Sequence, residues 1–226
     1  FRQFVAEGVK VAEELLQSGR IKVQAVYATE PWLLKKEPLI KQRPGLPVEK
    51  VTAEMLAGLS SLDTPNEVVL LCDMPKEETM RLEGKVSLLL DAIRDPGNLG
   101  TIVRIADWFG IEYVVCSPDC VDPFNAKAIQ ATMGSLARIK LPEASLADVM
   151  KAYAGMPAYD ATLEGRPFAE FGKMTEGFLM IGKESHGISE ALRRQATAEI
   201  CIPRLGQAES LNAAVATGIL CSHLLL

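Results

Sequence analysis

Three short clusters hold the side chains of this sequence that could do polar chemistry. The first is Asp95-Pro96-Gly97-Asn98-Leu99-Gly100-Thr101-Ile102-Val103-Arg104, with the Asn98 amide and the Arg104 guanidinium. The second, Gly182-Lys183-Glu184-Ser185-His186-Gly187, sets a carboxylate between two glycines. The third runs from Ile202-Pro203-Arg204 to Ser210-Leu211-Asn212 and adds a hydroxyl and a second amide. Amides, a hydroxyl and a guanidinium orient a ligand and steady negative charge. A nucleophile with a histidine base is a poor fit, because His186 and His223 are the only histidines. A metal centre is no better supported: the five cysteines contain no CxxC pair, and only Cys116 and Cys120 lie close together. Taken singly, each cluster also has a plain structural reading: a glycine-rich strand-to-helix loop, a capping serine, a satisfied amide.

The elements needed to position these clusters are visible in the pattern. Val86 to Leu90 is an apolar run of the kind that forms a strand buried on both faces. The chain breaks at 95–98 and resumes with Leu99, Ile102, Val103 and Ala106 on one helical face. Asn98 stands at the expected cap, so that helix should open at the carboxyl edge of the strand, where α/β sheets bind ligands. Arg104 follows about two turns on. Glu184 comes just after an apolar strand, Phe178 to Ile181. The third cluster follows a strand at 198–202 and leads into a closing helix from Ser210, with Asn212 in its first turn.

Elsewhere the pattern predicts an amphipathic helix over residues 1–18, strands at Val23–Tyr27 and Val68–Leu71, a helix beginning at Glu30-Pro31-Trp32, and a short helix capped by Thr52. Lys35, Lys36, Lys41 and Arg43 concentrate positive charge in a proline-broken loop that reads equally as solvated surface or as a phosphate-contacting patch. The charged, aperiodic stretch around 77–84 reads as a linker. From residue 85 onward strands alternate with helices (113–116, 123–133, 146–153, 158–161, 178–181), which argues for a parallel sheet covered on both faces. The expected organisation is an α/β fold with domains at 1–76 and 85–226. A dinucleotide-binding unit is disfavoured, because Gly97 and Gly100 make GxxG rather than GxGxxG.

Over 226 residues, 48% hydrophobic and 23% charged composition describes an ordinary globular chain. Net charge is −5, so binding of a polyanion would have to come from a local patch. No apolar run approaches the eighteen or so residues of a membrane span. Unpaired cysteines and the lack of an apolar leader point to the cytoplasm.

The three clusters in this order, NxGxxxR at 98–104, GxExxG at 182–187 and IPxxG followed by SLN at 202–212, resemble the motifs of the SpoU (TrmH-like) RNA 2′-O-ribose methyltransferases of the SPOUT superfamily. Phe124 to Ile139 and the N-terminal FVAEGVKVAEELL are similar to segments of that family too. The resemblance implies a catalytic α/β domain with a deep C-terminal trefoil knot, and a small N-terminal, ribosomal-protein-L30e-like RNA-binding domain. It implies a homodimer that uses S-adenosylmethionine, with no metal and no membrane. It assigns Asn98, Arg104, Glu184, Ser210 and Asn212 to the catalytic centre and Gly182, Ile202 and Leu211 to the cofactor pocket. Two departures stand out: Arg204 where methionine is common, and Asn212-Ala213-Ala214-Val215 for the more usual NVSV. The two-domain layout favours 23S ribosomal RNA as substrate, with transfer RNA, or a non-catalytic RNA-binding assembly factor of the same fold, as alternatives.

Overall fold

In the computed structural model, residues 2–60, 66–76, 79–183 and 187–226 are described. In chain order come β1 (Gln3–Glu7), α1 (Val9–Gln17), β2 (Val23–Ala28), α2 (Glu30–Lys41), β3 (Val48–Lys50), α3 (Ala53–Leu59) and β4 (Val68–Asp73). They are followed by β5 (Val86–Asp91), α4 (Pro96–Trp108), β6 (Val114–Cys116), α5 (Ala126–Ala131) and α6 (Leu146–Ala152). The chain closes with β7 (Ala158–Pro167), β8 (Gly177–Gly182), α7 (Glu190–Arg193), β9 (Ala198–Cys201) and α8 (Ala213–Leu225). The elements divide between two compact units, one of residues 1–77 with 124–138, the other of residues 78–123 with 139–226.

The first unit is built on a four-stranded mixed sheet ordered β1-β4-β2-β3, in which only β2 and β3 run parallel. Strand β4 is the buried centre, and Leu15, Leu16, Trp32 and Leu56 pack the helices with almost no exposure. The single helix expected over 1–18 is a strand followed by a helix. Gly8, at φ 103°, breaks the two apart, and Phe4 and Ala6 alternate inward along β1 before the helical period begins. Thr52 caps α3 as expected, its side chain accepting from the Met55 amide at 3.2 Å. The basic stretch after Trp32 is helical rather than a proline-broken loop. Helix α2 runs through Pro38 to Lys41, anchored by the buried Trp32 and forfeiting one backbone hydrogen bond at the proline.

Residues 124–138 pack with this first unit although they lie far along the chain. The Phe124 ring sits 5.0 Å from that of Phe4. Ser18 Oγ donates to the Ala137 carbonyl at 3.0 Å, and Arg20 Nη2 donates to that of Leu136 at 2.7 Å. Glu14 takes hydrogen bonds from Lys10 and Arg138, which hold its carboxyl below the ordinary carboxylate range.

The second unit carries a five-stranded sheet ordered β6-β5-β8-β7-β9, parallel throughout. Strand β5 pairs with β8 from Val86–Gly177 to Asp91–Gly182. One face packs Leu89, Val115, Ala158, Phe178 and Met180 against Leu146, Val149 and Leu192 of α6 and α7. The alternate residues Leu88, Leu90, Leu179 and Ile181 are as deeply buried on the other face. There α8 packs against α4 and β8. Because every strand runs the same way, all the loops that follow them emerge at one edge. No helix among the described residues is long and apolar enough to cross a membrane.

Candidate active site

At that carboxyl edge a cleft of about 550 Å³ opens, lined by three loops and the first turns of α8. One wall is an excursion from β7. The strand pairs with β9 at Tyr159–Ala161, loses register, and regains it at Arg166–Pro167, leaving Thr162, Leu163 and Glu164 against the cleft. A second wall is Ile181, Gly182, Lys183 and Gly187. A Cβ on Gly182 would fall 2.1 Å from the Gly187 carbonyl carbon, so the chain folds back directly over Gly182 and no other residue fits there. The Gly187 amide closes this return on the Lys183 carbonyl at 2.9 Å. Asp91, at the end of β5, braces the next turn by accepting from the Ser189 amide at 2.7 Å.

The third wall is the loop after β9, with Ile202, Leu205, Ser210 and Leu211 at the cleft, backed by Ala213 and Ala216 of α8. Arg204 ties this loop together: Nη1 donates to the Ala208 carbonyl at 3.2 Å and reaches that of Glu209 at 3.4 Å. The three residues assigned to the cofactor, Gly182, Ile202 and Leu211, therefore share one largely apolar cleft. Its volume is that of a nucleoside-sized pocket, within the usual range of about 300–1,000 Å³.

Both expected helix caps shift. Asp95, not Asn98, caps α4, accepting from the Asn98 amide at 2.7 Å with Pro96 in the first helical turn. Asn212, not Ser210, caps α8, its Oδ1 accepting from the Ala214 amide at 3.0 Å and the Val215 amide at 3.3 Å. With the caps so placed Asn98 and Asn212 meet: Asn212 Nδ2 donates to Asn98 Oδ1 at 2.7 Å, joining the first turn of α4 to the start of α8. Ser210 stays in the loop and lines the cleft. Arg104 is exposed on α4 and lies outside the cleft lining. Six residues from Asn98, its side chain leaves the helix about 120° around and about 9 Å along the axis. Glu184 lies outside the described residues.

In the first unit the basic residues are engaged to different degrees. Lys36 pairs with Glu13 at 2.8 Å, and Lys41 with Glu37 at 2.9 Å across an exposed helical turn. Arg43 turns inward and donates through Nε to the Leu16 carbonyl at 2.8 Å, and through Nη2 to that of Ser18. Lys35 is exposed. Among the described residues no cluster of His, Cys, Asp and Glu could hold a metal ion.

Sequence reasoning missed Asp91 and Arg204. Asp91 was legible as the one charge closing an apolar strand, but its partner at 189 is set by the pairing of β5 with β8. Nothing local marks Arg204 as a tie across its own loop.

Comparison with known proteins adds what geometry alone does not. Residues 85–222 match the family model described as SpoU rRNA Methylase family, and residues 5–78 match that for RNA 2′-O ribose methyltransferase substrate binding. A Bacillus subtilis 23S rRNA (guanosine(2553)-2′-O)-methyltransferase is 34% identical over 98% of this chain and 88% of its own length. A TrmH-family protein of known structure from Porphyromonas gingivalis superposes with a TM-score of 0.84 at 32% identity, covering 98% of this chain and 88% of its own. An AdoMet-bound rRNA methyltransferase from Sinorhizobium meliloti gives 0.83 at 30% identity over 97% and 85%. With both stretches matched and relatives aligned along nearly its whole length, the chain belongs to the SpoU rRNA methylase family.

Proposed function

We propose that this protein methylates a ribose 2′-hydroxyl of large-subunit ribosomal RNA, with S-adenosylmethionine in the cleft between the 182–187 turn and the 202–211 loop. It is an RNA ribose 2′-O-methyltransferase that uses S-adenosylmethionine. The observation that carries the placement is the convergence of Gly182, Ile202, Ser210 and Leu211 on one cleft, at the strand edge where Asn212 bridges to Asn98. The cleft fits the cofactor: apolar residues offer an adenine a dry wall, and Thr162, Glu164, Lys183 and Ser210 add polar residues to the lining. When bound, S-adenosylmethionine supplies an electrophilic methyl group on a sulfonium. The residues of the chain must hold the accepting hydroxyl in line and steady the charge it develops.

In this reading Gly182, Ile202 and Leu211 hold the cofactor, while Asn98, Ser210 and Asn212, joined by Glu184, orient the ribose. Arg104 is exposed, and a guanidinium presents a planar fork of N–H donors that matches phosphate oxygens. That supports Arg104 as a clamp on RNA phosphate and on the developing alkoxide rather than as the base. The first unit, a mixed sheet with helices of the ribosomal-protein L30e kind, holds the RNA, with Lys35, Lys36 and Lys41 on α2 contacting phosphate and Arg43 buttressing α1 beneath them. Residues 1–76 then serve as the substrate domain and 85–226 as the methyltransferase domain, across a linker at 77–84.

A homodimer and a trefoil knot complete the proposal. Trp108, Val215 and Leu211, on α4 and around the start of α8, are 84%, 51% and 43% exposed, large apolar side chains of the sort a second copy covers. After edge strand β9 the chain returns to mid-sheet, where α8 packs on α4 and β8, as a threaded C-terminal segment requires. In this reading the protein works in the cytoplasm, which the likeness to a Bacillus subtilis rRNA methyltransferase supports. Calorimetric titration with S-adenosylmethionine, followed by transfer of labelled methyl to ribosomal RNA, tests the function. One site per chain with label in 2′-O-methylribose is expected; RNA binding with no cofactor heat would make the protein a non-catalytic assembly factor.

A further inference from the structure

One carboxylate in the second unit takes no part in the site described so far. Asp160 lies on β7 with 0% exposure, and neither of its oxygens has a hydrogen-bond partner among the described residues. Ala158 belongs to the core formed with Met180, Ile188 and Leu192, so Asp160, two residues on, faces the same side of the sheet. Its opposite charge is Arg193 at the end of α7, with Nε 3.4 Å from Asp160 Oδ2 but without hydrogen-bond geometry. The other charges acting on it, Glu199 and Asp91, are acidic. Burial raises the Asp160 carboxyl above the ordinary range, with Arg193 opposing the rise.

The far end of Arg193 reaches the cleft. The residue lines it, and its side chain is 39% exposed. Its Nη2 would stand 3.4 Å from a Cβ placed on Gly187, so the tip of the guanidinium lies close against the turn that folds over Gly182. The guanidinium thus spans from a buried, otherwise unpartnered carboxylate to the backbone forming one wall of the cleft. An apolar pair of similar volume would serve fold stability at least as well, and the loose Nε–Oδ2 geometry contributes little.

We propose that Asp160 and Arg193 are positioning residues for the cofactor: the buried carboxylate anchors the guanidinium, and the guanidinium holds Gly187 against Gly182 in the geometry the cleft requires. The proposal rests on the reading that S-adenosylmethionine occupies this cleft. A wall displaced by about 1 Å can cost a ligand or a reaction up to about a hundredfold. The effect falls on cofactor affinity, because Arg193 lines the cleft assigned to the cofactor and Asp160 is buried against Arg193.

The test compares wild type with Asp160→Asn, Arg193→Met and the double variant, measuring S-adenosylmethionine Kd, melting temperature, and kcat and KM for each substrate. Each single variant is expected to raise the cofactor Kd about tenfold or more. The double variant should bind no worse than the weaker single, and kcat at saturating cofactor should stay within about threefold. Unchanged cofactor Kd, with or without a lower melting temperature, would make the pair purely structural and overturn the proposal. If a single variant does not fold, the double variant, which leaves no unpaired charge buried, carries the same test. Ala216→Trp, which fills the cleft from α8, separates the two readings. If it leaves cofactor binding intact the cleft is not the cofactor site; if it abolishes binding while the Asp160 and Arg193 variants bind normally, only the positioning role fails.

Discussion

Replacing Asn212 by serine separates two tasks that one side chain performs. Asn212 Oδ1 caps α8 through the Ala214 and Val215 amides, while its Nδ2 donates to Asn98 at 2.7 Å. Losing the cap costs about 1 kcal/mol. Losing a neutral hydrogen bond at an exposed site costs about 1 kcal/mol more. Asn212→Ala, which loses both, should therefore cost about 2 kcal/mol, a fall in melting temperature of about 4–8 °C for a chain of this size. Serine caps as well as asparagine but is too short to reach Asn98, so Asn212→Ser should lose about 1 kcal/mol or less. If the bridge sets the ribose-facing geometry, Asn212→Ser nonetheless loses methyl transfer by about 10- to 100-fold. Asn98→Ala should show the same deficit, and the two should not add when combined. Thermal denaturation alongside transfer of labelled methyl to ribosomal RNA reads both quantities. Full turnover in Asn212→Ser, at the stability expected of a retained cap, would show that the bridge only fastens α8 to α4.

Other outcomes follow from the same geometry. Arg104→Ala should abolish methyl transfer while leaving S-adenosylmethionine affinity within about threefold, because Arg104 lies outside the cleft lining; a matching loss of cofactor affinity would contradict that placement. Reversing charge at Lys35 and Lys41 should weaken RNA binding and flatten its dependence on salt, read by filter binding across a salt series, whereas an unchanged slope would return α2 to plain surface. Glu14 is held below its usual range, first by the Lys10 hydrogen bond and then by that from Arg138. Its stabilisation is complete above the unfolded carboxyl range and is lost as pH falls through the folded value. The stability gap between wild type and Glu14→Gln should therefore shrink on acidification from about pH 5 to pH 3 in denaturant titrations, and a gap that widens would refute the assignment.

The sequence showed much of the second unit because its elements announce themselves locally. The Val86–Leu90 run, the helical spacing of Leu99, Ile102, Val103 and Ala106, and the glycines around Glu184 each sit within one element or turn. Where the reading slipped, two local signals competed. Phe4 and Val5 fit a helical repeat with Ala12 and Leu15, and only Gly8 at positive φ divides strand from helix. Asp95 and Asn98 both suit a cap, and Pro96 between them was the signal that decides for Asp95. Ser210 and Asn212 posed the same choice at α8, with no proline to settle it. What stayed hidden was non-local. The Asn98–Asn212 bridge, the Asp160–Arg193 pair and the packing of residues 124–138 beside Phe4 each join segments that only the folded chain brings together.

The proposed activity is transfer of a methyl group to a ribose of large-subunit ribosomal RNA. Mapping 2′-O-methylation across ribosomal RNA from cells with and without the gene tests it most directly. The expected result is one ribose mark in large-subunit RNA that disappears with the gene, returns with the wild-type chain, and does not return with Arg104→Ala. Ribosomal RNA with the same 2′-O-methyl pattern in both strains would contradict it.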